Sequence, residues 1–279
     1  MLYIIVLSYD RQSQTWLHTI IMAEVAKADD DVFYSPDSQF LGKNTDNNGE
    51  ENIRLCVLSM RTTLEKQDPS AKDLDDSTLR RFLRARDLNV DKAATMLLKY
   101  LTWRRTFMPK GFITTSEIYN EISQNKMFMQ GKDKQGRPIA VVFGSRHFQG
   151  DTDEFKRFLA FVLDKLCSRM PEGQEKFTTI ADLEGYGYCN SDVRANLTAI
   201  SILQDYYPER LGKVFVIHVP YIFMTMWKII QPFIDKNTRK KIVFVENSRL
   251  HATLREDIDE NQLPEIYGGK LQLVPIHNN

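Results

Sequence analysis

The segment Tyr207-Pro208-Glu209-Arg210-Leu211-Gly212-Lys213 is a charged turn, and the order of the elements after it sets the architecture. The apolar run 214–219 predicts a short buried strand, which Pro220 ends. Residues 221–234 follow with a single charge, Lys228, in fourteen residues. A helix that is apolar on nearly every side must be buried or meet lipid. This order therefore indicates either a large apolar ligand or contact with a membrane.

The charges balance over the whole chain but not along it. Lys+Arg and Asp+Glu both number 37, yet residues 23–51 carry eight acids and two bases, a net charge of −6. Because residues 1–22 are neutral, residues 52–279 carry +6. A basic module behind an acidic leader favours an anionic partner such as a membrane surface. The other interpretation is charge scattered over a solvated surface.

The three cysteines are too few and too far apart for a disulfide framework or a zinc site, which indicates a reducing compartment, the cytoplasm. No apolar run approaches the ~20 residues of a membrane span. We expect residues 1–21 to lie outside the working protein, because Met22 opens a sequence typical of a natural start. Residues 23–51 are polar, acidic and without periodicity, so residues 1–51 are predicted to contain a disordered acidic leader.

Residues 52–110 predict a helical subdomain, because their apolar positions recur at helical spacing. Asp76-Ser77 is placed as the N-cap of its second helix and Asp91 as that of its third, and Pro109 and Gly111 stop the third helix.

Strand and helix patterns alternate over residues 117–275. A hairpin turn is predicted at 131–136, and Ser191 is placed as the N-cap of a later helix. Strands separated by helices of this length predict an α/β domain with a mostly parallel sheet.

No catalytic or metal-binding signature is present in the sequence. We find no GxGxxG, P-loop, HExxH, GxSxG or CxxC pattern, and the five histidines are far apart. Asp182 and Glu184 share one face of a predicted strand and form either a catalytic pair or the anchor of the following turn, and the anchor is favoured. His218 is interpreted as a hydrogen-bonded core histidine. No dense basic stripe accompanies the tyrosines, which argues against a nucleic-acid partner.

Five segments, in this order, resemble the CRAL-TRIO lipid-binding family, and most closely its phosphatidylinositol transfer protein branch. They are LRRFLRAR at 79–86, DKQGRP at 133–138, IADLEG at 180–185, YYPERLGK at 206–213 and LPEIYGG at 263–269. The resemblance implies an α/β fold in which a helical subdomain, 52–110, packs on a lipid-binding domain, 117–275. The sheet and its flanking helices then enclose an apolar lipid cavity.

The resemblance also implies where the lipid lies. Residues 221–234 match the mobile gate over the cavity, and a simple core helix is the alternative. The gate side chains are Phe223, Met224, Trp227, Ile230 and Phe233. Two acyl chains hold on the order of 30 methylenes, so exposing them to water costs roughly 20 kcal/mol or more. The gate must therefore stay closed over the lipid while the protein is in water.

Four polar residues correspond to the family's phosphoinositol site. Glu209 and Lys241 match positions that engage the headgroup, and Thr238 and Arg86 match supporting positions. A carboxylate can accept from ring hydroxyls, while the other three side chains can donate to a phosphate. The alternative is an ion-pair network that holds the helical subdomain on the α/β domain.

The chain departs from the family at the phosphatidylcholine headgroup site. Phe177 stands where phosphatidylcholine binders carry a serine, and Ala140 stands where they carry an aromatic residue, although Thr179 is retained. Asp87 also replaces a base. The resemblance to a second-ligand site, formed by Thr179 and Phe177, is therefore incomplete.

The leading hypothesis is a monomeric, non-enzymatic carrier that transfers phosphatidylinositol between membranes or presents it to lipid kinases. It would act in the cytoplasm and touch membrane surfaces transiently, with a bound phospholipid as its only cofactor. Two alternatives remain: a carrier of another hydrophobic molecule, such as an isoprenoid or a sterol, and a membrane-recruited interaction module whose lipid is structural.

Overall fold

Residues 47–278 are described by a computed structural model of the protein. The segment 1–21 and most of the predicted leader lie outside the described residues. The first helix begins at Asn47, so residues 47–51, which were expected in the leader, are helical. None of the described helices is both long enough and apolar enough to cross a membrane.

Three helices form the N-terminal subdomain: α1 (Asn47–Gln67), α2 (Asp76–Arg84) and α3 (Val90–Phe107). Each turns an apolar face inward, because its large side chains recur three or four residues apart. Met60, Leu64, Leu79, Phe82 and Leu97 are almost completely buried where these faces meet. The subdomain therefore has its own hydrophobic core.

The remaining chain alternates between strand and helix, as predicted. Its elements are α4 (Tyr119–Ser123), β1 (Met127–Lys132), β2 (Pro138–Phe143), α5 (Thr152–Ser168), β3 (Phe177–Asp182), α6 (Val193–Tyr206), β4 (Leu211–Ile217), α7 (Tyr221–Ile230), α8 (Lys236–Arg239), β5 (Ile242–Phe244) and α9 (Leu250–Asp257). The sheet order is β1-β2-β3-β4-β5, with β1 antiparallel to β2 and every other pair parallel. This confirms the predicted mostly parallel sheet.

The two faces of the sheet are covered by different elements. Successive right-handed crossovers from β2 to β5 step in one direction, so α5, α6 and α7 all lie on one face. The opposite face packs on α9: Leu250 and Leu254 of α9, and Ile258 directly after it, share one hydrophobic core with Ile180 and Phe215 of the sheet.

The hairpin between β1 and β2 is closed by a buried carboxylate. Asp133 Oδ2 accepts from Arg137 Nε at 2.5 Å and from Thr178 Oγ1 at 2.6 Å. Its other oxygen accepts from the backbone N–H groups of Gln135 and Arg137. These bonds confirm the predicted hairpin and tie it to β3.

Asp182 anchors the end of β3. Its Oδ1 accepts from the backbone N–H of Glu184 at 2.9 Å and lies 2.8 Å from His218 Nδ1. Its Oδ2 accepts from the Tyr267 hydroxyl at 2.7 Å. The three groups Asp182, Glu184 and His218 lie close enough to share a metal ion, but both oxygens of Asp182 already accept protein hydrogen bonds. The geometry favours the turn anchor.

The bounds of β4 and α7 differ from those predicted from the sequence. β4 begins at Leu211 rather than near 214, and it ends where His218 takes a left-handed φ of 51°. α7 ends at Ile230, and a 3-10 turn (Gln231–Phe233) replaces the rest of the predicted helix. Pro232 is the reason, because it has no N–H for an intrahelical bond and its ring clashes with the preceding turn.

Candidate functional site

The starts of three parallel strands bring charged residues together. Lys176 directly precedes β3, Glu209 lies two residues before β4, and Lys241 directly precedes β5. The backbone links these starts, since Phe177 N donates to the carbonyl oxygen of Arg210 at 2.9 Å and Val214 N donates to that of Lys241 at 2.8 Å. Because the N-terminal ends of parallel strands share one edge of a sheet, residues distant in sequence converge there.

Glu209 lies between two ammonium groups. Its Oε2 is 3.7 Å from Lys241 Nζ and 3.8 Å from Lys176 Nζ. Both separations are ion contacts that are longer than hydrogen bonds, so the carboxylate and the two ammonium groups keep hydrogen-bonding capacity for a ligand. Glu209 has a left-handed φ of 57°, which costs a non-glycine residue about 1 kcal/mol or more. The conformation at this turn is thus maintained against strain.

Lys176 belongs to this cluster, although the sequence did not single it out. Burial lowers the pKa of its ammonium group, and the charge of Lys241 lowers the pKa further. One signal was available: Lys176 holds the same position before β3 that Lys241 holds before β5.

The two supporting residues have different positions. Thr238 is half-buried one turn before Lys241, and its carbonyl oxygen accepts from Lys241 N at 3.0 Å. Arg86 lies after the end of α2, where the chain turns through left-handed residues at Asp87 and Leu88. Its Nη1 donates to the carbonyl oxygen of Ala85 at 2.8 Å, and it takes part in none of the ion pairs found among residues 47–278.

Two further arginines, one from the helical subdomain and one from the turn before β4, contact the residue that precedes Lys176 at the charged edge of the sheet. Arg84 pairs with Glu175, and Arg210 Nη1 donates to the Glu175 carbonyl oxygen at 3.0 Å. Arg81 is only 5% exposed, and its Nε has no hydrogen-bond partner among the described residues. Burial, and then the charge of Arg210, lower the pKa of Arg81 to about 10.

Bases outnumber acids where the helical subdomain meets this edge of the sheet. The bases are Arg81, Arg84, Lys176, Arg210 and Lys241, and the acids are Glu175 and Glu209. A surplus of partly desolvated cations is costly without an anion. The alternative interpretation, an ion-pair network between subdomains, accounts for Arg84 with Glu175 but leaves Arg81 without an acidic partner.

An apolar layer begins directly beside these charges and lies between the sheet, α6 and α7. Five of its apolar residues are buried and nine are only partly buried. The core on the opposite face has twelve buried and three partly buried members. Among the described residues, the layer under α7 is therefore packed less completely than the core on the other face.

Comparison with known proteins gives the family. The CRAL/TRIO domain matches residues 122–269, and the CRAL/TRIO N-terminal domain matches residues 57–99. The chain belongs to the CRAL/TRIO family. It is 34% identical over 237 residues to the Sec14 cytosolic factor of Schizosaccharomyces pombe, which covers 77% of this chain and 81% of that protein.

Two further CRAL/TRIO comparisons agree. The chain is 29% identical over 211 residues to the phosphatidylinositol transfer protein CSR1 of Eremothecium gossypii, which covers 71% of this chain and 48% of that protein. The crystal structure of Sfh5 is 19% identical with a TM-score of 0.63, and the match covers 85% of this chain and 93% of that one. This likeness shows the CRAL/TRIO fold alone.

The predicted gate residues of this CRAL/TRIO chain divide into two groups. Ile230 is buried in the apolar layer, and Phe223 and Trp227 are partly buried there. Met224 is only half-buried, and Phe233 is 37% exposed on the 3-10 turn. α7 is thus apolar in composition but is buried along one face only.

A methionine that the sequence did not single out anchors α7. Met226 is buried, and its Sδ accepts from the Tyr186 hydroxyl at 3.2 Å and from Asn196 Nδ2 at 3.5 Å. Phe223 packs edge-on against Tyr186, with ring centroids 5.7 Å apart. The contacts join α7 to the turn after β3 and to α6.

Thr179 and Phe177 lie on the sheet face that the apolar layer covers. Thr179 is half-buried and pairs in register with Val214 of β4. Phe177 is buried against α5, where its ring belongs to the main core of the CRAL/TRIO domain. A serine hydroxyl at position 177 would face that apolar core.

Proposed function

We propose that this protein binds phosphatidylinositol and carries it between membranes or presents it to lipid kinases. The observation that carries the proposal is the placement of Glu209 between Lys176 and Lys241, beside an apolar layer. A carboxylate can accept from inositol hydroxyls, and ammonium groups can donate to the phosphate. Binding and carrying a lipid require no covalent bond to be made or broken.

The order of residues along the strands matches an amphiphilic ligand. Lys241 is followed at once by Ile242, which pairs in register with Val214 on β4. Both of these residues belong to the apolar layer. Because a strand rises about 3.3 Å per residue, a headgroup at the charged edge and acyl chains on the sheet face are separated by a few ångströms, as in one phospholipid.

The name of one relative supports this class of ligand. CSR1 is named as a phosphatidylinositol transfer protein, and the Sec14 cytosolic factor matches this chain over most of its own length. A sterol or isoprenoid has no polyol phosphate and would leave the charged edge without a partner. This favours phosphatidylinositol over the alternative hydrophobic ligands.

The proposal predicts that Glu209→Ala combined with Lys241→Ala abolishes phosphatidylinositol transfer between liposomes and leaves a folded protein. Both side chains are partly exposed, so truncation removes headgroup contacts without opening the core. Asp153→Ala with Lys156→Ala is the matched control, because it removes an exposed ion pair on α5. Transfer at the normal rate by the Glu209/Lys241 variant would overturn the site assignment.

The lipid itself can be identified directly. Mass spectrometry of lipid extracted from the purified protein is expected to yield phosphatidylinositol. A sterol or an isoprenoid in its place would support the alternative carrier.

A further inference from the structure

A cleft of about 190 Å³ lies beside the hairpin that joins β1 to β2. Its walls come from β1, the start of β2, the turn after α5 and the loop at residue 262. Lys176, Glu209 and Lys241 do not line it, so it is separate from the proposed phosphoinositol site. Because a cavity of about 150 Å³ can hold a benzene ring, this cleft has room for a six-membered ring with a substituent.

A β-bulge shapes one wall of the cleft. The pairing of β1 with β2 shifts between Met129 and Lys132, where β1 advances by three residues and β2 by two. Gly131, in the bulge, has a φ of 69°, and a side chain there would overlap the carbonyl oxygen of Gln262. Lys132 N donates to Gln262 Oε1 at 3.2 Å. These contacts join the bulge to the loop at 262, and bulges are frequent beside functional sites.

Two bases without an acidic partner line the cleft. Lys132 on β1 and Arg169 directly after α5 are exposed, and neither takes part in an ion pair among residues 47–278. The acid of the hairpin, Asp133, is buried, and its carboxylate binds Arg137 and Thr178. A concave surface with two such cations attracts an anion.

The positive charge extends along the end of α5. Burial lowers the pKa of the Lys165 ammonium group, and the charge of Arg169 lowers it further. Burial, and then the charge of Lys165, lower the pKa of His277. An anion bound beside Arg169 would therefore also interact favourably with Lys165.

We propose that this cleft binds a phosphate monoester carried on a small hydroxylated ring. Such a phosphate carries roughly two negative charges at neutral pH, which matches the charges of Lys132 and Arg169. A guanidinium group can also bind two phosphate oxygens at once. The site adds a second ligand to the protein and does not depend on phosphatidylinositol as the first.

The remaining walls suit the ring of such a ligand. Gln130 and Gln262 line the cleft, and their side-chain amides can donate to ring hydroxyls and accept from them. Met129 and Pro138 are buried and give the cleft an apolar floor. A few polar groups around an apolar surface are typical of small-molecule sites.

Isothermal titration calorimetry of the full chain with glucose 6-phosphate tests the proposal. We expect saturable binding that becomes about tenfold weaker or more in Lys132→Ala combined with Arg169→Ala, because charged hydrogen bonds to the phosphate are lost. Both side chains are exposed, so the variant is expected to fold. The matched control, Lys72→Ala with Arg249→Ala, removes one exposed lysine and one exposed arginine outside the cleft and should bind as the unmodified protein does.

Further probes separate the phosphate from the ring and from its source. Inorganic phosphate is expected to bind more weakly than glucose 6-phosphate, and glucose without phosphate is expected not to bind. Phosphatidylcholine vesicles that contain phosphatidylinositol 4-phosphate present the same group on a lipid headgroup. A dependence on Lys132 and Arg169 in the glucose 6-phosphate titration alone assigns a soluble ligand, and the same dependence with the vesicles extends the site to headgroups.

Four results would overturn the inference: no saturable binding of glucose 6-phosphate, unchanged binding by the Lys132/Arg169 variant, an equal loss in the control, or equal affinity for inorganic phosphate. The variant Glu209→Ala with Lys241→Ala distinguishes the two sites. It is expected to bind glucose 6-phosphate normally even though it loses phosphatidylinositol transfer. A loss of glucose 6-phosphate binding in this variant would place that ligand at the phosphoinositol site and contradict a separate cleft site.

Discussion

Glu209 illustrates how a single residue combines backbone strain with charge. Its left-handed φ turns the chain from α6 into β4, and its carboxylate then lies between two ammonium groups. Gly212 follows for a steric reason, because a Cβ there would lie 2.8 Å from the Arg137 side chain and 3.0 Å from the Phe177 carbonyl oxygen. The motif around Glu209 therefore forms a turn whose backbone conformation and close contacts few other residue types would permit.

The lowered pKa of Lys176 predicts a pH dependence for binding. In the free protein, burial and the charge of Lys241 favour the neutral amine. A bound phosphate favours the ammonium form and raises that pKa, so binding is coupled to proton uptake. Affinity for the proposed ligand, phosphatidylinositol, is therefore expected to be full below the lowered pKa and to fall as the pH rises through it.

Lys176→Arg tests this coupling, because a guanidinium stays charged over the whole range. We expect the alkaline loss of phosphatidylinositol binding to be weaker in this variant, measured by titration with labelled lipid across pH. Lys92→Arg, on the exposed face of α3, is the control and should keep the loss. An identical pH profile in Lys176→Arg and the unmodified protein would contradict the assignment of this lysine.

At the scale of elements, the sequence patterns predicted which helices and strands form, but the N-cap residues determine where the helices begin. Asp75, Asn89 and Asp192 are the N-caps of α2, α3 and α6, each accepting from a backbone N–H three residues on. The predicted caps were Asp76-Ser77, Asp91 and Ser191, which are wrong by one or two residues. Neighbouring polar side chains compete for one capping position, and the backbone φ and ψ of the turn decide between them.

With α7 as the gate of the proposed function, the Met226 contacts lead to a prediction about the rate of lipid exchange. Met226→Leu keeps the buried volume but removes the sulfur that accepts from Tyr186 and Asn196. We expect the free energy of unfolding to fall by less than about 1.5 kcal/mol. We expect exchange of a fluorescent phosphatidylinositol to become faster, because α7 is held less firmly.

Met60→Leu is the matched control, since Met60 is fully buried in the helical subdomain, away from α7. It should leave the exchange rate unchanged. A similar acceleration in both variants would assign the effect to general loosening rather than to the gate.

In the whole molecule, the helical subdomain is joined to the α/β domain by aromatic and charged contacts. Trp103 of α3 stacks on Tyr206 of α6, with ring centroids 4.1 Å apart. Beside it, Arg104 Nη1 donates to both oxygens of Asp164 on α5, which also accepts from the Tyr207 hydroxyl at 2.8 Å. These contacts set the position of Arg81 and Arg84 over the charged edge of the sheet.

Trp103→Ala is therefore expected to loosen the two subdomains. Removing this stacked but partly buried tryptophan is expected to lower the free energy of unfolding by about 2–3 kcal/mol, measured by urea denaturation. Because the arginines are then held less firmly at the charged edge, phosphatidylinositol transfer should fall as well. Trp227→Ala, on α7, is the comparison: it should cost less stability, since Trp103 stacks on both Phe107 and Tyr206 whereas Trp227 packs edge-on against Phe244. Equal losses of stability in the two variants would contradict this account of the interface.

The amino-acid pattern was sufficient for the order of helices and strands and for the parallel sheet, and the five motifs were sufficient for the family. These features follow from local periodicity, turn chemistry and motifs, each of which spans a few residues. Lys176 at the charged edge, the buried Arg81 beside Arg210, and the bond from Tyr267 to Asp182 appeared only in the folded chain. The physical reason is that such contacts depend on strand order and crossover direction, which bring together side chains that are far apart in sequence.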